Sequence, residues 1–128
     1  MVSNSPPEPD DEVIRQTAVS LISLDSYGES LARPPHLIKV DVEGAELLAL
    51  NGAARLLALP ANRAPVWILE YGPENYRSFG YEFDEIRTLL ERHEYKLYWI
   101  AADSRLIPMW NPEAAPSRNL VAAKRTLI

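Results

Sequence analysis

The sequence contains no cysteine and only two histidines, His36 and His93. The absence of cysteine excludes disulfide bonds, thiolate metal sites and a cysteine nucleophile, and the two histidines lack the spacing of a zinc site. No apolar run approaches the ~20 residues of a membrane-spanning helix, and the polar, acidic amino terminus is not typical of a signal peptide. The cytoplasm is therefore the simplest compartment, and we expect no membrane partner.

Positive charge is also scarce, because 13 lysines and arginines stand against 18 aspartates and glutamates. This balance, without a local basic stripe, argues against a nucleic-acid partner. A chain of 128 residues is long enough for one domain. We expect residues 1–15, which are acidic and proline-rich, to form a disordered or loosely attached arm, and residues 16–128 to form the domain.

The most informative stretch is 37–46, where a short apolar run is followed by acids, a glycine and a leucine-rich helical pattern. The aliphatic side chains predict a strand that is buried on both faces. Asp41 and Glu43 lie near the carboxyl end of this strand, which is where ligands bind in open α/β sheets. This stretch therefore contains the first candidates for a functional site.

A second apolar run, at about 66–71, predicts a parallel neighbour of the first strand, because a helix-length segment connects the two. Asn51 and Gly52 predict a bend in that segment or two short helices. We expect a three-layer α/β unit, flanked by strands near 96–101 and 119–124. Further expectations are an edge strand at 18–22, a site-covering loop at 72–80, and residues 106–110 that lead into a proline-rich loop.

Residues 38–46 (Ile-Lys-Val-Asp-Val-Glu-Gly-Ala-Glu), followed by Leu-Asn-Gly-Ala at 50–53, resemble the IK-x-D-x-EG-x-E…L-x-G-A signature of FkbM-type S-adenosylmethionine-dependent methyltransferases. Ser-Leu-Asp-Ser-Tyr at 23–27 is similar to the family's threonine-leucine-aspartate element. Ile-Leu-Glu-Tyr at 68–71 matches a family strand that ends in glutamate, and residues 118–123 resemble the closing strand. The resemblance implies a Rossmann-like methyltransferase sheet that is mostly parallel with an antiparallel closing strand. It also implies S-adenosylmethionine as the cofactor and a hydroxyl of a small metabolite or sugar as the methyl acceptor.

The family's first strand runs into a glycine-rich cofactor loop, but no two of the five glycines here lie close enough to form G-x-G. The chain is therefore interpreted as the second half of the domain, with weak or no cofactor binding of its own. A strand at 37–42 without its neighbour would leave an open sheet edge, so a homo-oligomer through that edge is expected. The alternative function is a catalytically inactive half-domain that acts as an interaction module or fragment.

Asp41, Glu43 and Glu70 are the catalytic candidates, since the carboxyl ends of parallel neighbours meet at one edge of a sheet. By resemblance Asp41 also contacts the cofactor; otherwise it caps a helix or pairs with Lys39. One of the three carboxylates would act as a general base, and a Mg²⁺ site is a further alternative, although no metal is our first expectation. For Glu46 a helix-dipole role is the better interpretation.

Tyr71, Tyr76 and Phe79 are the candidates for binding the acceptor, because they follow the strand at 66–71 directly. Apolar walls at that position would exclude water from methyl transfer. Aromatic side chains that simply pack on the core are equally consistent with the sequence.

Overall fold

The computed structural model describes residues 15–110 and 117–127, so most of the predicted amino-terminal arm lies outside the described residues. The chain forms α1 (Leu24–Glu29), β1 (Leu37–Val40), α2 (Glu46–Asn51), α3 (Ala54–Leu57), β2 (Val66–Glu70), α4 (Pro73–Ser78), α5 (Phe83–Arg92), β3 (Lys96–Ile100), β4 (Leu106–Pro108) and β5 (Asn119–Ala123). No helix in these two ranges is both long and apolar enough to cross a membrane.

The five strands form one sheet in the order β1-β2-β5-β3-β4. β1 and β2 are parallel, as predicted, whereas β5 is antiparallel to both of its neighbours and β4 is antiparallel to β3. The α/β class is confirmed, but the prediction of a mostly parallel sheet is wrong. The reason is the position of β5, which separates β2 from β3 although these two strands run in the same direction.

Most of the buried apolar side chains of the strands lie on one face of the sheet. Alternate side chains of neighbouring strands form two buried rows on that face, namely Val40, Leu69, Leu120 and Trp99 in one row and Ile38, Trp67, Ala122 and Leu97 in the other. Leu50, Leu57, Tyr76, Ile86 and Leu90, which come from the helices, pack against these rows in the same cluster. The described residues therefore form a two-layer unit, and the three-layer prediction is wrong for that part of the chain.

The helical segment between β1 and β2 is interrupted at Gly52 and Ala53, as the sequence predicts. Asp25, which lies in α1, forms hydrogen bonds with the backbone on both sides of this break. Its carboxylate accepts hydrogen bonds from the backbone N–H groups of Arg55 (2.9 Å) and Leu56 (3.2 Å), and its own N–H donates to the carbonyl of Gly52 (2.9 Å). Asp25 thus satisfies the free N–H groups at the start of α3.

Two local predictions are wrong. Residues 18–22 form no strand, and Leu21 is 96% exposed, because no sheet edge pairs with this short apolar run. The expected loop at 72–80 contains α4, which begins with Pro73 at a position where proline favours a helix start. Residues 106–108, for which the sequence predicts no strand, form β4 through backbone pairing with β3, and most of the proline-rich segment that follows lies outside the described residues.

Candidate functional site

The carboxyl ends of β1 and β2 bring Asp41 and Glu70 together. Val40 pairs with Leu69 in the parallel ladder, so the next residue of each strand faces the other. A hydrogen bond between the two carboxyl groups raises the pKa of Glu70 above its usual range, and burial and the negative charge of Asp41 act in the same direction. Glu70 therefore holds its proton more strongly than an ordinary glutamate does.

These two carboxyl groups lie in an open cleft of about 320 Å³. The cleft is lined by Lys39, Asp41, Glu43, Glu70, Arg118 and Asn119. The Arg118 guanidinium is 3.8 Å from a carboxylate oxygen of Glu70, but its side chain is 89% exposed, so this ion pair is weak. The cleft therefore contains the neighbouring carboxyl groups of Asp41 and Glu70. It also contains two exposed cations, Lys39 and Arg118, whose charges are screened by solvent.

Two positive φ angles and side-chain hydrogen bonds define the shape of the loop that follows β1. Glu43 and Gly44 both have positive φ angles, of 50° and 112°. The buried carboxylate of Glu46 accepts hydrogen bonds from the N–H groups of Gly44 (2.8 Å) and Val42 (3.4 Å). The Tyr81 hydroxyl donates to the Gly44 carbonyl at 2.7 Å. Glu46 and Tyr81 thus fix the turn that follows Asp41.

The sequence predicts a helix-dipole role for Glu46 and does not single out Tyr81 for this contact. The signal for Glu46 was present, since a glutamate in a first helical turn can bond back to preceding backbone N–H groups. For Tyr81 no local signal exists, because it lies 37 residues from Gly44.

The three aromatic candidates do not line the cleft. Tyr76 is fully buried, and its hydroxyl donates to the backbone carbonyl of Glu70. Burial raises the pKa of Tyr76 well above its usual range, so the hydroxyl remains a donor. Tyr71 is half-buried with its ring 5.0 Å from that of Trp99, while Phe79 is 37% exposed and packs beside Gly44. These positions favour packing roles for Tyr71 and Tyr76, and Phe79 alone of the three retains substantial exposure.

Within residues 15–110 and 117–127, no three or more His, Cys, Asp or Glu side chains are grouped so that they could hold a metal ion. The cleft carboxylates Asp41, Glu43 and Glu70 are thus close along one edge without forming such a group. The magnesium alternative has no support from this geometry.

The chain is an α/β protein in which Asp41 and Glu70 lie at the carboxyl ends of the parallel strands β1 and β2, the edge at which open α/β sheets commonly bind ligands. The family model described as Methyltransferase FkbM domain matches residues 2–97. The chain belongs to the FkbM methyltransferase family, which confirms the resemblance seen in its sequence. No curated protein and no solved structure gives a match.

Proposed function

We propose that the chain takes part in S-adenosylmethionine-dependent methyl transfer to a hydroxyl group of a small metabolite or sugar in the cytoplasm, as the carboxyl-terminal part of a methyltransferase domain. The observation that carries this proposal is that Asp41, Glu43 and Glu70 line one cleft at the carboxyl edge of the parallel strands β1 and β2. Family membership supplies the reaction class, and the cleft geometry supplies the acid–base groups.

The cofactor, when bound, supplies an electrophilic methyl group on a sulfonium cation. The carboxylates of Asp41 and Glu43 fit the cationic end of such a molecule, because negative charge in a fixed position stabilises it. The sequence contains no G-x-G loop for the nucleoside end. We therefore expect this chain to contribute the sulfonium-facing and acceptor-facing parts of the site, with weak binding of its own.

Glu70 is the general base in this proposal. A carboxyl group with a raised pKa accepts a proton more readily than an ordinary glutamate, so it suits removal of the acceptor hydroxyl proton during attack on the methyl carbon. The proton would move to a carboxylate oxygen of Glu70 as the new carbon–oxygen bond forms and the methyl carbon–sulfur bond breaks, and the donor would leave as a neutral thioether. Asp41 lies beside Glu70 and would position it, and Asn119 lines the same cleft, where its amide would orient a polar acceptor.

Replacement of Glu70 by glutamine tests this role, in an assay that follows transfer of a labelled methyl group to sugar and polyketide hydroxyls. The rate should fall by about 10²–10⁴-fold, the usual contribution of a positioned base. In the wild type the rate should rise with pH through the raised pKa of Glu70, since only the deprotonated carboxylate accepts the proton. That rise should be absent in the variant.

The matched control is Glu74→Gln, because Glu74 is exposed on α4 and does not line the Asp41–Glu70 cleft. This variant should keep both the rate and the pH profile. Equal activity of Glu70→Gln and wild type would exclude Glu70 as the base, and no transfer to any acceptor by the wild type would favour the second candidate function.

The second candidate is an interaction module without catalysis. The observation that favours it is the edge of β1, which pairs with β2 on one side and with no other strand of the described residues.

A further inference from the structure

The acids of the cleft lie at two loops, one after β1 and one after β2. Asp41 and Glu43 belong to the first loop, and Glu70 is the last residue of β2, shortly before α4. The backbone register of the two strands ends at the pair of Val40 with Leu69. Beyond that pair, the distance between the acids depends on what holds the two loops against each other.

Two buried tyrosines, Tyr76 in α4 and Tyr81 shortly before α5, connect these loops. The Tyr81 hydroxyl donates to the carbonyl of Gly44 in the first loop at 2.7 Å. The Tyr76 hydroxyl donates to the carbonyl of Glu70, where the second loop begins. The two rings are stacked, with centroids 5.1 Å apart and planes inclined by 22°, and the Tyr81 N–H donates to the Tyr76 carbonyl at 3.2 Å. The pair therefore reaches from one loop to the other.

The surroundings of the tyrosine pair favour a fixed connection. Neither ring lines the cleft. Burial raises the pKa of both hydroxyls and the charge of Glu46 acts in the same direction, so both groups remain hydrogen-bond donors. A Cβ at Gly44 would lie 2.7 Å from the carbonyl oxygen of Asn75, so α4 also approaches the first loop directly. The two loops thus meet at several points, and the tyrosine hydroxyls supply the directional ones.

We propose that Tyr76 and Tyr81, in addition to packing in the core, are positioning residues that hold the two loops together and thereby set the separation of the Asp41 and Glu70 carboxyl groups. This positioning would hold whether or not the chain transfers methyl groups. Its effect on catalysis rests on the proposed function, in which Glu70 removes the acceptor proton while Asp41 lies beside it.

The separation of the two carboxyl groups has a measurable consequence in the pKa of Glu70. The hydrogen bond with Asp41 raises this pKa most, followed by burial and by the negative charge of Asp41. The Arg118 guanidinium lowers it, and the charge of Glu46 raises it. Lys39 and Glu43 line the same cleft. Because Asp41 belongs to the first loop, a movement of that loop away from Glu70 would return the pKa toward the ordinary range of a glutamate.

Tyr81→Phe tests the connection, because it removes the hydroxyl and keeps the ring stack. A pH titration of the full chain, followed by the ¹³C chemical shift of the Glu70 carboxyl carbon, gives the pKa. We expect this pKa to be lower in Tyr81→Phe than in the wild type, since the first loop is then free to carry Asp41 away. Tyr76→Phe should act in the same direction. The double variant should show no larger fall than the greater single one, because either change releases the same connection.

The matched control is Tyr95→Phe. Tyr95 is also buried, and its hydroxyl donates to the carbonyl of Pro65 at 3.1 Å and accepts from the indole N–H of Trp67 at 3.0 Å. Pro65 directly precedes β2, so these bonds lie near the end of the strand opposite the cleft. Tyr95→Phe should lose stability to urea to a similar extent as Tyr81→Phe, and it should keep the wild-type pKa of Glu70.

The methyl-transfer assay gives a second readout. In Tyr81→Phe the rise of the rate with pH should move to lower pH together with the pKa of Glu70, and kcat should fall by up to about 10²-fold, the cost of a misplacement of about 1 Å. Tyr95→Phe should keep the wild-type pH profile. A wild type that transfers no methyl group would count against the proposed function alone, because the pKa titration needs no turnover.

Three results of the titration would overturn the positioning role. The first is an unchanged pKa of Glu70 in Tyr81→Phe. The second is an equal fall in Tyr81→Phe and Tyr95→Phe, which would indicate a general loosening of the core. The third is an ordinary pKa of Glu70 in the wild type, because the two carboxyl groups would then not be held together. A fall in Tyr81→Phe with no change in Tyr95→Phe is the result that we expect.

Discussion

Replacement of Gly44 by alanine is expected to lower the free energy of unfolding by about 3 kcal/mol or more. The φ angle of Gly44 is 112°, a conformation that costs a side-chain-bearing residue about 1–3 kcal/mol. The new Cβ would also lie 2.7 Å from the carbonyl oxygen of Asn75 and 2.8 Å from the Phe79 ring. Relief of that overlap requires movement of the backbone of α4 and adds about 1–3 kcal/mol. Urea denaturation measures the sum.

Two other glycines separate these contributions. Gly80 has a φ of 83°, but no atom lies within 4 Å of the position that an added methyl group would take, so Gly80→Ala should show the backbone cost alone. Gly28 lies in α1 with open space around it, so Gly28→Ala should be neutral or stabilising by about 0.5–1 kcal/mol. A loss for Gly44→Ala no larger than that for Gly80→Ala would show that the approach of α4 to the loop is not tight.

Replacement of Glu46 by alanine should destabilise the protein by about 2–4 kcal/mol. Glu46 is 1% exposed, and its carboxylate is the acceptor for the buried N–H of Gly44. Removing the acceptor leaves that N–H unsatisfied, which costs about 1–3 kcal/mol, and the lost packing of the side chain adds to the effect. Thermal or urea unfolding gives the measurement.

Glu46→Gln is the conservative variant, because its amide oxygen can still accept from Gly44 while its NH₂ group cannot accept from Val42. That second bond is the longer one, at 3.4 Å, so the loss should be about 1 kcal/mol. Glu43→Gln in the same loop changes an exposed side chain and should be close to neutral. Equal losses from Glu46→Gln and Glu46→Ala would indicate that the charge, rather than the acceptor geometry, stabilises the loop.

The parts of the fold that the sequence predicts are those with a strong local signal. The runs at 37–40 and 66–70 are apolar and bounded by acids or prolines, so both strands and their parallel pairing follow from hydrophobicity and connection length. The proximity of Asp41 to Glu70 follows in turn, since neighbouring parallel strands end at the same edge. The break near Gly52 follows from helix propensity.

The remaining features depend on partners that are distant in the chain. The run at 18–22 has the composition of a strand but pairs with no strand of the described residues, whereas Leu106–Pro108 forms a strand through its pairing with β3. The place of β5 between β2 and β3 is a property of the whole sheet. The bond from Tyr81 to Gly44 also arises from tertiary packing, which no local pattern encodes.

The central claim is that the edge carrying Asp41 and Glu70 faces the methyl donor. Titration of the ¹⁵N-labelled chain with S-adenosylmethionine, followed by amide chemical shifts, tests it most directly and detects weak binding. We expect the chemical-shift changes to be concentrated at residues 41–46 and 70–72. The changes should be larger with S-adenosylmethionine than with S-adenosylhomocysteine, whose sulfur is uncharged, because the carboxylates attract the sulfonium charge. Changes confined to other parts of the chain, or identical responses to the two compounds, would contradict the account.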